Sequence, residues 1–267
     1  MTAEGDYILM LLQAARFLLK SYSIAKRGEK LSGLMECLEP LKDPRFVPAR
    51  DARPKPATSA AEARDHNHLL AMFRYRLLVA VDRVGAQFDM KLKKQGTSFE
   101  DAFNACALNL QMTAVSFAMY FMLRNFTDVL NAQTDPNIAL ALGRVVSLFG
   151  LSEMLDGKQW TGLVDAVEAS SVDQAVSDLL DELRPDVIAL VDAFDFPDSV
   201  LNSSIGSFDG NVYERLFDAA FHAPLNAHPD RPFKGYDELR KALDLDFLRL
   251  RNTPCPELRD DEARAKL

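Results

Sequence analysis

The chain has 267 residues, 48% of them hydrophobic, which is enough for a sizeable buried core and excludes disorder as its main state. Its formal net charge of −8 excludes a nucleic-acid binder of the usual kind, because neutralising phosphates needs a basic face that this balance does not supply. Only 12 glycines interrupt long stretches rich in Ala, Leu, Met, Lys and Glu, so helices are expected and a β-sandwich or barrel is not.

In chain order, residues 6–25 lack Gly and Pro, and Ile8, Leu11, Leu12, Ala15, Leu18, Leu19 and Tyr22 recur at helical spacing, giving a first helix that Gly28 ends. Pro40, Pro44, Pro48, Pro54 and Pro56 then forbid a regular element and predict a linker or surface strap. Thr58 or Ser59 caps a second long helix whose apolar face carries Leu70, Phe73, Leu77, Val81, Val84 and Phe88, until Gly96 closes it. The other face carries Arg64, Arg74, Arg76 and Arg83, and solvation is the default for such a face.

Ser98 and Asp101 resemble a capping box, and no Gly or Pro follows before Pro136, which predicts a helix of roughly 30 residues and about 45 Å. Its seam would be Phe103, Ala107, Leu110, Ala114, Phe117 and Phe121, spaced as a long antiparallel bundle requires. Asp135 and Pro136 open a further helix that Gly150 is expected to interrupt. Ser171 is expected to begin another, with Pro185 kinking or splitting it before Val187 and Leu190. Shorter helices are expected near residues 212–221 and 236–250. The fold class is therefore all-α, an antiparallel bundle of long helices.

Few residues suggest chemistry by local pattern alone. Cys37, Cys106 and Cys255 are odd in number and unrelated in spacing, so they read as reduced thiols of an intracellular compartment rather than a disulfide framework or a metal knuckle. His66 and His68 would lie on different faces of a helix with no third ligand nearby, so no metal is expected and a surface or capping role is. Asp209 and Gly210 make a turn, and Asn211 with Glu214 a capping box. The most apolar run, 112–123, is too short for a bilayer, and the first residues lack a signal pattern, so neither a membrane span nor secretion is expected.

Three stretches carry a resemblance. Thr2-Ala3-Glu4-Gly5-Asp6 runs into Leu12-Gln13-Ala14-Ala15-Arg16-Phe17-Leu18-Leu19-Lys20-Ser21, and this is similar to the Glu-Gly segment and following helix of acyl-CoA oxidases. Residues 189–196, then Asp209-Gly210-Asn211-Val212-Tyr213-Glu214 and Pro224-Leu225-Asn226, resemble the C-terminal domain of the same family in the same order. The likeness covers nearly the whole chain down to about Asn226.

The resemblance implies specific roles. Glu4 would be the base that removes the α-proton of an acyl-CoA while the β-hydrogen leaves as hydride to the flavin. Such a proton is weakly acidic, so the carboxylate should have a raised pKa, reached by burial against the acyl chain. Local sequence alone would explain Glu4 differently, as an acidic residue favoured by a helix dipole. Gly5 would let the thioester approach the backbone, and Asp6 would lie near the flavin edge. Tyr7 and Ile8 depart from the polar Asn and Thr of many relatives. The cofactor would be FAD, shared with an N-terminal helical domain and a β domain that precede the Glu-Gly segment in the family.

The expected organisation is 1–42 as the remainder of a first helical domain, 43–57 as a proline-bearing linker, 58–255 as the C-terminal helical domain and 256–267 as a charged tail. Ala265-Lys266-Leu267 resembles the Ser-Lys-Leu type of peroxisomal address, so an import receptor and a peroxisomal location are expected. The expected partners are the acyl-CoA substrate and either the oxidase N-terminal portion or a homodimer partner. Without that portion the chain is expected to be inactive. The alternative readings are a non-catalytic helical interaction module derived from the family and, less favoured, a dehydrogenase that passes electrons to a flavoprotein.

Overall fold

The structure, a computed structural model, describes residues 5–94, 96–155, 158–226 and 234–243. All regular elements among them are helices, and the chain divides into two compact units, 1–191 and 192–267. The first unit contains α1 (Tyr7–Lys26), α2 (Pro48–Asp51), α3 (Ala60–Ala63), α4 (His66–Asp89), α5 (Phe99–Ala105), α6 (Ala107–Asn131), α7 (Pro136–Leu155) and α8 (Ala166–Leu183). A helix α9 (Val187–Asp192) runs across the boundary, and the second unit contains α10 (Asp198–Leu201), α11 (Val212–Phe221) and α12 (Tyr236–Leu243). The all-α expectation holds.

The bundle of the first unit is built on α4. Its stripe Leu69, Met72, Phe73, Leu77, Val81, Val84 and Phe88 is buried, and α6 packs along it; α1 and α7 pack against α6, and α8 packs against α7. Phe73, Leu123, Leu151 and Leu179 come from α4, α6, α7 and α8 and meet in one core, each with no exposed surface. Burying such side chains contributes about 1.5–3 kcal/mol each. A second cluster, Ala15, Leu19, Val84, Phe88, Phe103 and Leu110, ties α1 and α5 to the same frame. At Gly85 the frame is so tight that a Cβ would meet the Tyr22 ring at 2.5 Å, so α1 and α4 cross only because that position lacks a side chain.

Several boundaries differ from expectation. Ser59 caps only the single turn α3, accepting from the Glu62 N–H, and α4 starts afresh where the Asp65 carboxylate accepts from the His68 N–H at 2.8 Å. The break is held by Ser147, whose hydroxyl donates to the Arg64 carbonyl at 2.9 Å. Likewise Ser98 caps only α5, accepting from the Asp101 N–H at 3.1 Å, and the long third helix is broken at Cys106, with α5 and α6 bent by 71°. The bend lets Phe99 meet Phe88 edge-on at 5.2 Å, so α5 closes the end of α4 instead of extending α6.

Gly150 does not interrupt α7; it sits mid-helix where a Cβ would press on Leu69 at 3.2 Å, so its smallness serves packing. Asp165, not Ser171, begins α8: its carboxylate accepts from Val167 and Glu168 N–H groups, and Ser171 sits inside, donating back to the Val167 carbonyl. Pro185 splits the helix as expected, since α8 ends at Leu183 and α9 starts at Val187. The proline-bearing stretch is less irregular than expected. A 3-10 helix, Gly33–Lys42, contains Pro40, and Pro48 opens α2, where its missing N–H costs nothing.

In the second unit Asn211 stands at the start of α11 without a side-chain cap bond; its N–H instead donates to Asp209 at 3.1 Å, so the capping box with Glu214 does not form. Of the expected helix over 236–250, α12 is described to Leu243, and the remainder lies outside the described residues.

Candidate functional site

Glu4 lies outside the described residues, as do Ala265, Lys266 and Leu267. The residues that follow Glu4 are described. Gly5 has φ +73° with nothing within 4 Å of a Cβ position, so backbone geometry requires glycine there, and the space beside it is open. Asp6 occupies the position before the first turn of α1, with its carbonyl accepting from the Met10 N–H at 3.1 Å. Its side chain makes no cap bond, and Oδ1 is buried without a donor among the described residues. Tyr7, Ile8, Leu9 and Met10 are all exposed, so an apolar lip surrounds this end of α1. The arrangement offers an open glycine, a carboxylate oxygen in need of a donor and an apolar surface next to it.

Among the described residues no cluster of His, Cys, Asp and Glu has metal-ligand geometry. The two histidines are nonetheless not merely superficial. His66 Nε2 lies 3.0 Å from both the Gly143 carbonyl and Ser147 Oγ, and His68 Nε2 lies 3.0 Å from Glu168 Oε1, so each binds α4 to a neighbouring helix. Glu168, 1% exposed, also accepts from the Ala57 N–H. Cys37 and Cys106 are buried free thiols, and burial pushes Cys37 up to about 11, which makes it a poor nucleophile.

The arginines expected on a solvated face have separate fates. Arg64 makes a two-pronged contact with Glu182 at 2.7 and 2.8 Å, and Arg144 joins the same carboxylate at 3.1 Å. The Arg64 hydrogen bonds, aided by Arg144, hold Glu182 down at about 2. Arg76 departs most from expectation, being only 2% exposed. Its guanidinium lies 4.4 Å from the Trp160 ring and 4.8 Å from the Phe73 ring, and Nε and Nη2 are closed to solvent without an acceptor among the described residues. Burial pulls it down to about 10, opposed by the charge of Glu153, so it remains a cation at neutral pH.

Stacking on aromatic rings returns about 2 kcal/mol, whereas removing a charge from water costs several kcal/mol, so the rings do not offset the burial of Arg76. Arg76 lines a cleft of about 230 Å³ together with Arg83, Met112, Thr113, Ser116, Gln159 and Leu163 among others. The sequence held one overlooked signal. Arg76 falls in the register of Leu69, Phe73, Leu77 and Val81, so its spacing alone places it on the buried stripe.

Among the described residues two helices, α1 and α7, are long and apolar enough to cross a membrane by length and composition alone, whereas the most apolar run, 112–123, is too short for one. Each packs into the bundle, α1 on α6 and α7 on α8.

Comparison with known proteins gives these features a context. The acyl-CoA oxidase family model matches residues 65–243. The peroxisomal acyl-coenzyme A oxidase 1 of Bos taurus is 32% identical over 230 residues, covering 84% of this chain and 34% of the relative. That of Homo sapiens is 31% identical over 228 residues with the same coverage. Among solved structures, acyl-CoA oxidase-2 of Caenorhabditis elegans, bound with FAD, ascaroside-CoA and ATP, superposes with a TM-score of 0.75 at 25% identity, over 95% of this chain and 36% of that one. Arabidopsis thaliana acyl-CoA oxidase 1 has the same fold, with a TM-score of 0.76 at 24% identity over 91% and 36%. The chain thus spans about a third of the length of the curated relatives it matches. With more than half of its residues matched by one family model and its helices superposing on solved members, the chain belongs to the acyl-CoA oxidase family.

Proposed function

We propose that this chain is the C-terminal, helical part of a flavin-dependent acyl-CoA oxidase of fatty-acid β-oxidation, with the net reaction acyl-CoA + O2 → trans-2-enoyl-CoA + H2O2. The observation that carries the proposal is the family match over residues 65–243, joined to relatives of at least 31% identity across 84% of the chain.

The base is Glu4. Its carboxylate takes the α-proton of the thioester, becoming the neutral acid, and the electron pair left on the α-carbon forms the new double bond as the β-hydrogen departs. The chemistry that bound FAD would supply is an acceptor for that hydrogen as hydride. The apolar lip of Tyr7, Ile8, Leu9 and Met10 suits an acyl chain, and covering it raises the affinity of Glu4 for a proton by desolvation. Gly5 leaves the backbone open to the thioester. Asp6 is the residue that would hold the flavin, because its buried Oδ1 lacks a donor among the described residues and a flavin donor group would satisfy it. Tyr7 and Ile8 hold no polar group there except the Tyr7 hydroxyl, so Asp6 carries the polar contact.

Holding a base about 3 Å from its proton requires walls on both sides of the substrate, and exposed residues 7–10 supply only one. In the family the other wall comes from the N-terminal and β domains, so a polypeptide of these 267 residues alone is expected neither to hold FAD tightly nor to turn over. The exposed aromatic residues of the second unit, Phe194, Phe208, Tyr213, Phe217 and Phe221, favour assembly with that portion or with a second copy. They equally suit a non-catalytic interaction module, and activity separates the two readings. The relatives' peroxisomal names, with Ala265-Lys266-Leu267, favour a peroxisomal location. The proposed segments are 1–42, 43–57, 58–255 and 256–267, as given above.

The experiment joins the N-terminal portion of a relative to this chain, as a fusion or a second polypeptide, and measures acyl-CoA-dependent peroxide release. Glu4→Gln should lower it by about 10²–10⁴-fold. Unchanged release would remove Glu4 from the reaction, and none from the unsubstituted assembly would favour the interaction module.

A further inference from the structure

The cleft over Arg76 lies in the first unit, formed by α4, α6 and residues 159–163, and it involves none of the residues assigned to the oxidase reaction. Among the described residues two arginines line it and no carboxylate does, within a chain whose net charge is −8. Glu153 acts on Arg76 only through charge and makes no hydrogen bond to it. Arg76 has been stripped of water and given aromatic rings on its faces, with Nε and Nη2 lacking acceptors among the described residues. A buried cation in that condition favours whatever restores both a negative charge and acceptor oxygens.

We propose that this cleft binds a small organic anion, with a carboxylate or phosphate head on the Arg76 guanidinium and a short apolar body. Arg83 lines the same cleft and adds a second positive charge at its more exposed wall. Among the described residues the Gln159 Nε2 is turned to Met112 Sδ at 3.9 Å, a weak acceptor, and Ser116 Oγ donates to the Gln159 amide oxygen at 3.2 Å. Met112, Val84 and Leu163 supply apolar wall for the body of the ligand. The volume, about 230 Å³, is below that of sites for drug-sized molecules and restricts the ligand to a short acid. Carboxylate and phosphate present the same chemistry to a guanidinium, two oxygens matched to its fork.

The chain carries its own probe, because Trp160 is its single tryptophan and lies 4.4 Å from Arg76. Trp160 emission is followed while sodium phosphate or sodium butyrate is titrated against sodium chloride at constant ionic strength. A saturable change with phosphate, butyrate or both is expected, and whichever acid produces it identifies the head group. Arg76→Met should weaken binding by about tenfold or more while keeping the helical circular dichroism, because it keeps the volume and removes an unpaired charge. Arg76→Lys, which keeps charge and loses the planar fork, should also weaken binding and serves as the second variant if Arg76→Met does not fold. Arg83→Gln should weaken it by a few fold, through charge alone. A wild-type response no different from chloride, or one that survives in both Arg76 variants, would overturn the proposal. The test needs neither flavin nor the rest of the oxidase, so it stands or fails independently of the reaction proposed for Glu4.

Discussion

Phe73 and Phe217 are aromatic residues on helical stripes of similar regularity, and they end in opposite surroundings. Phe73 has no exposed surface and meets Trp160 edge-on at 5.1 Å, while Phe217 is 68% exposed and stacks at 6.0 Å on its own helix neighbour Phe221. The contrast extends to the two units. The first closes a core from α1, α4, α6, α7 and α8, whereas the only buried side chain described between residues 192 and 226 is Ser207. Periodicity therefore tells which face of a helix seeks burial; it does not tell whether the same chain provides the partner. Among the described residues the aromatic side chains of the second unit therefore stay exposed, whereas those of the first are enclosed.

That contrast can be broken by substitution. Phe73→Ala should cost about 3–5 kcal/mol in thermal or denaturant unfolding, since it opens a cavity where four helices meet. A loss below 1 kcal/mol would mean that the first unit is not the tight core described. Gly85→Ala should cost about 1–3 kcal/mol through its collision with Tyr22, provided that α1 and α4 stay together.

A smaller effect follows from Glu182. Its pKa in the folded chain is lowered to about 2 from an unfolded value near 4.5, so its stabilising contribution is complete above pH 4.5 and is lost as pH falls towards 2. The carboxylate is 35% exposed, and with solvent screening allowed for the contribution is about 1 kcal/mol. Melting temperatures of wild type and Glu182→Gln should therefore differ at pH 6 and converge near pH 2; parallel curves would show that the pair with Arg64 adds nothing. Phe217→Ser should change the stability of the isolated chain by less than about 0.5 kcal/mol, because nothing is uncovered. It should instead weaken assembly with the oxidase N-terminal portion or with a second copy, measured by light scattering, and an unaltered assembly would count against this surface.

Much of the fold was legible because α4, α6 and α7 carry periodic apolar stripes long enough to outweigh local ambiguity. The breaks were not, because they depend on tertiary contacts. Ser147 stabilises the interruption at Arg64, and Phe88 stabilises the bend at Cys106, and neither contact is local in sequence. Gly150 misled for the same reason, since only the position of Leu69 reveals why a glycine is useful there. At the candidate site, local pattern alone would have assigned Glu4 to a helix dipole, and the resemblance of residues 2–21 supplied the chemistry. The cleft of Arg76 was missed by grouping Arg76 with Arg64 and Arg74, although its register matched Phe73 and Leu77.

The most direct test of Glu4 as the base is anaerobic. The fused or co-assembled oxidase, purified with its flavin, is mixed with acyl-CoA in the absence of oxygen, and the flavin absorbance near 450 nm is followed in a stopped-flow instrument. Rapid bleaching that slows by two orders of magnitude or more in Glu4→Gln, with flavin content unchanged, is the predicted result. Bleaching at the same rate in both proteins would contradict it.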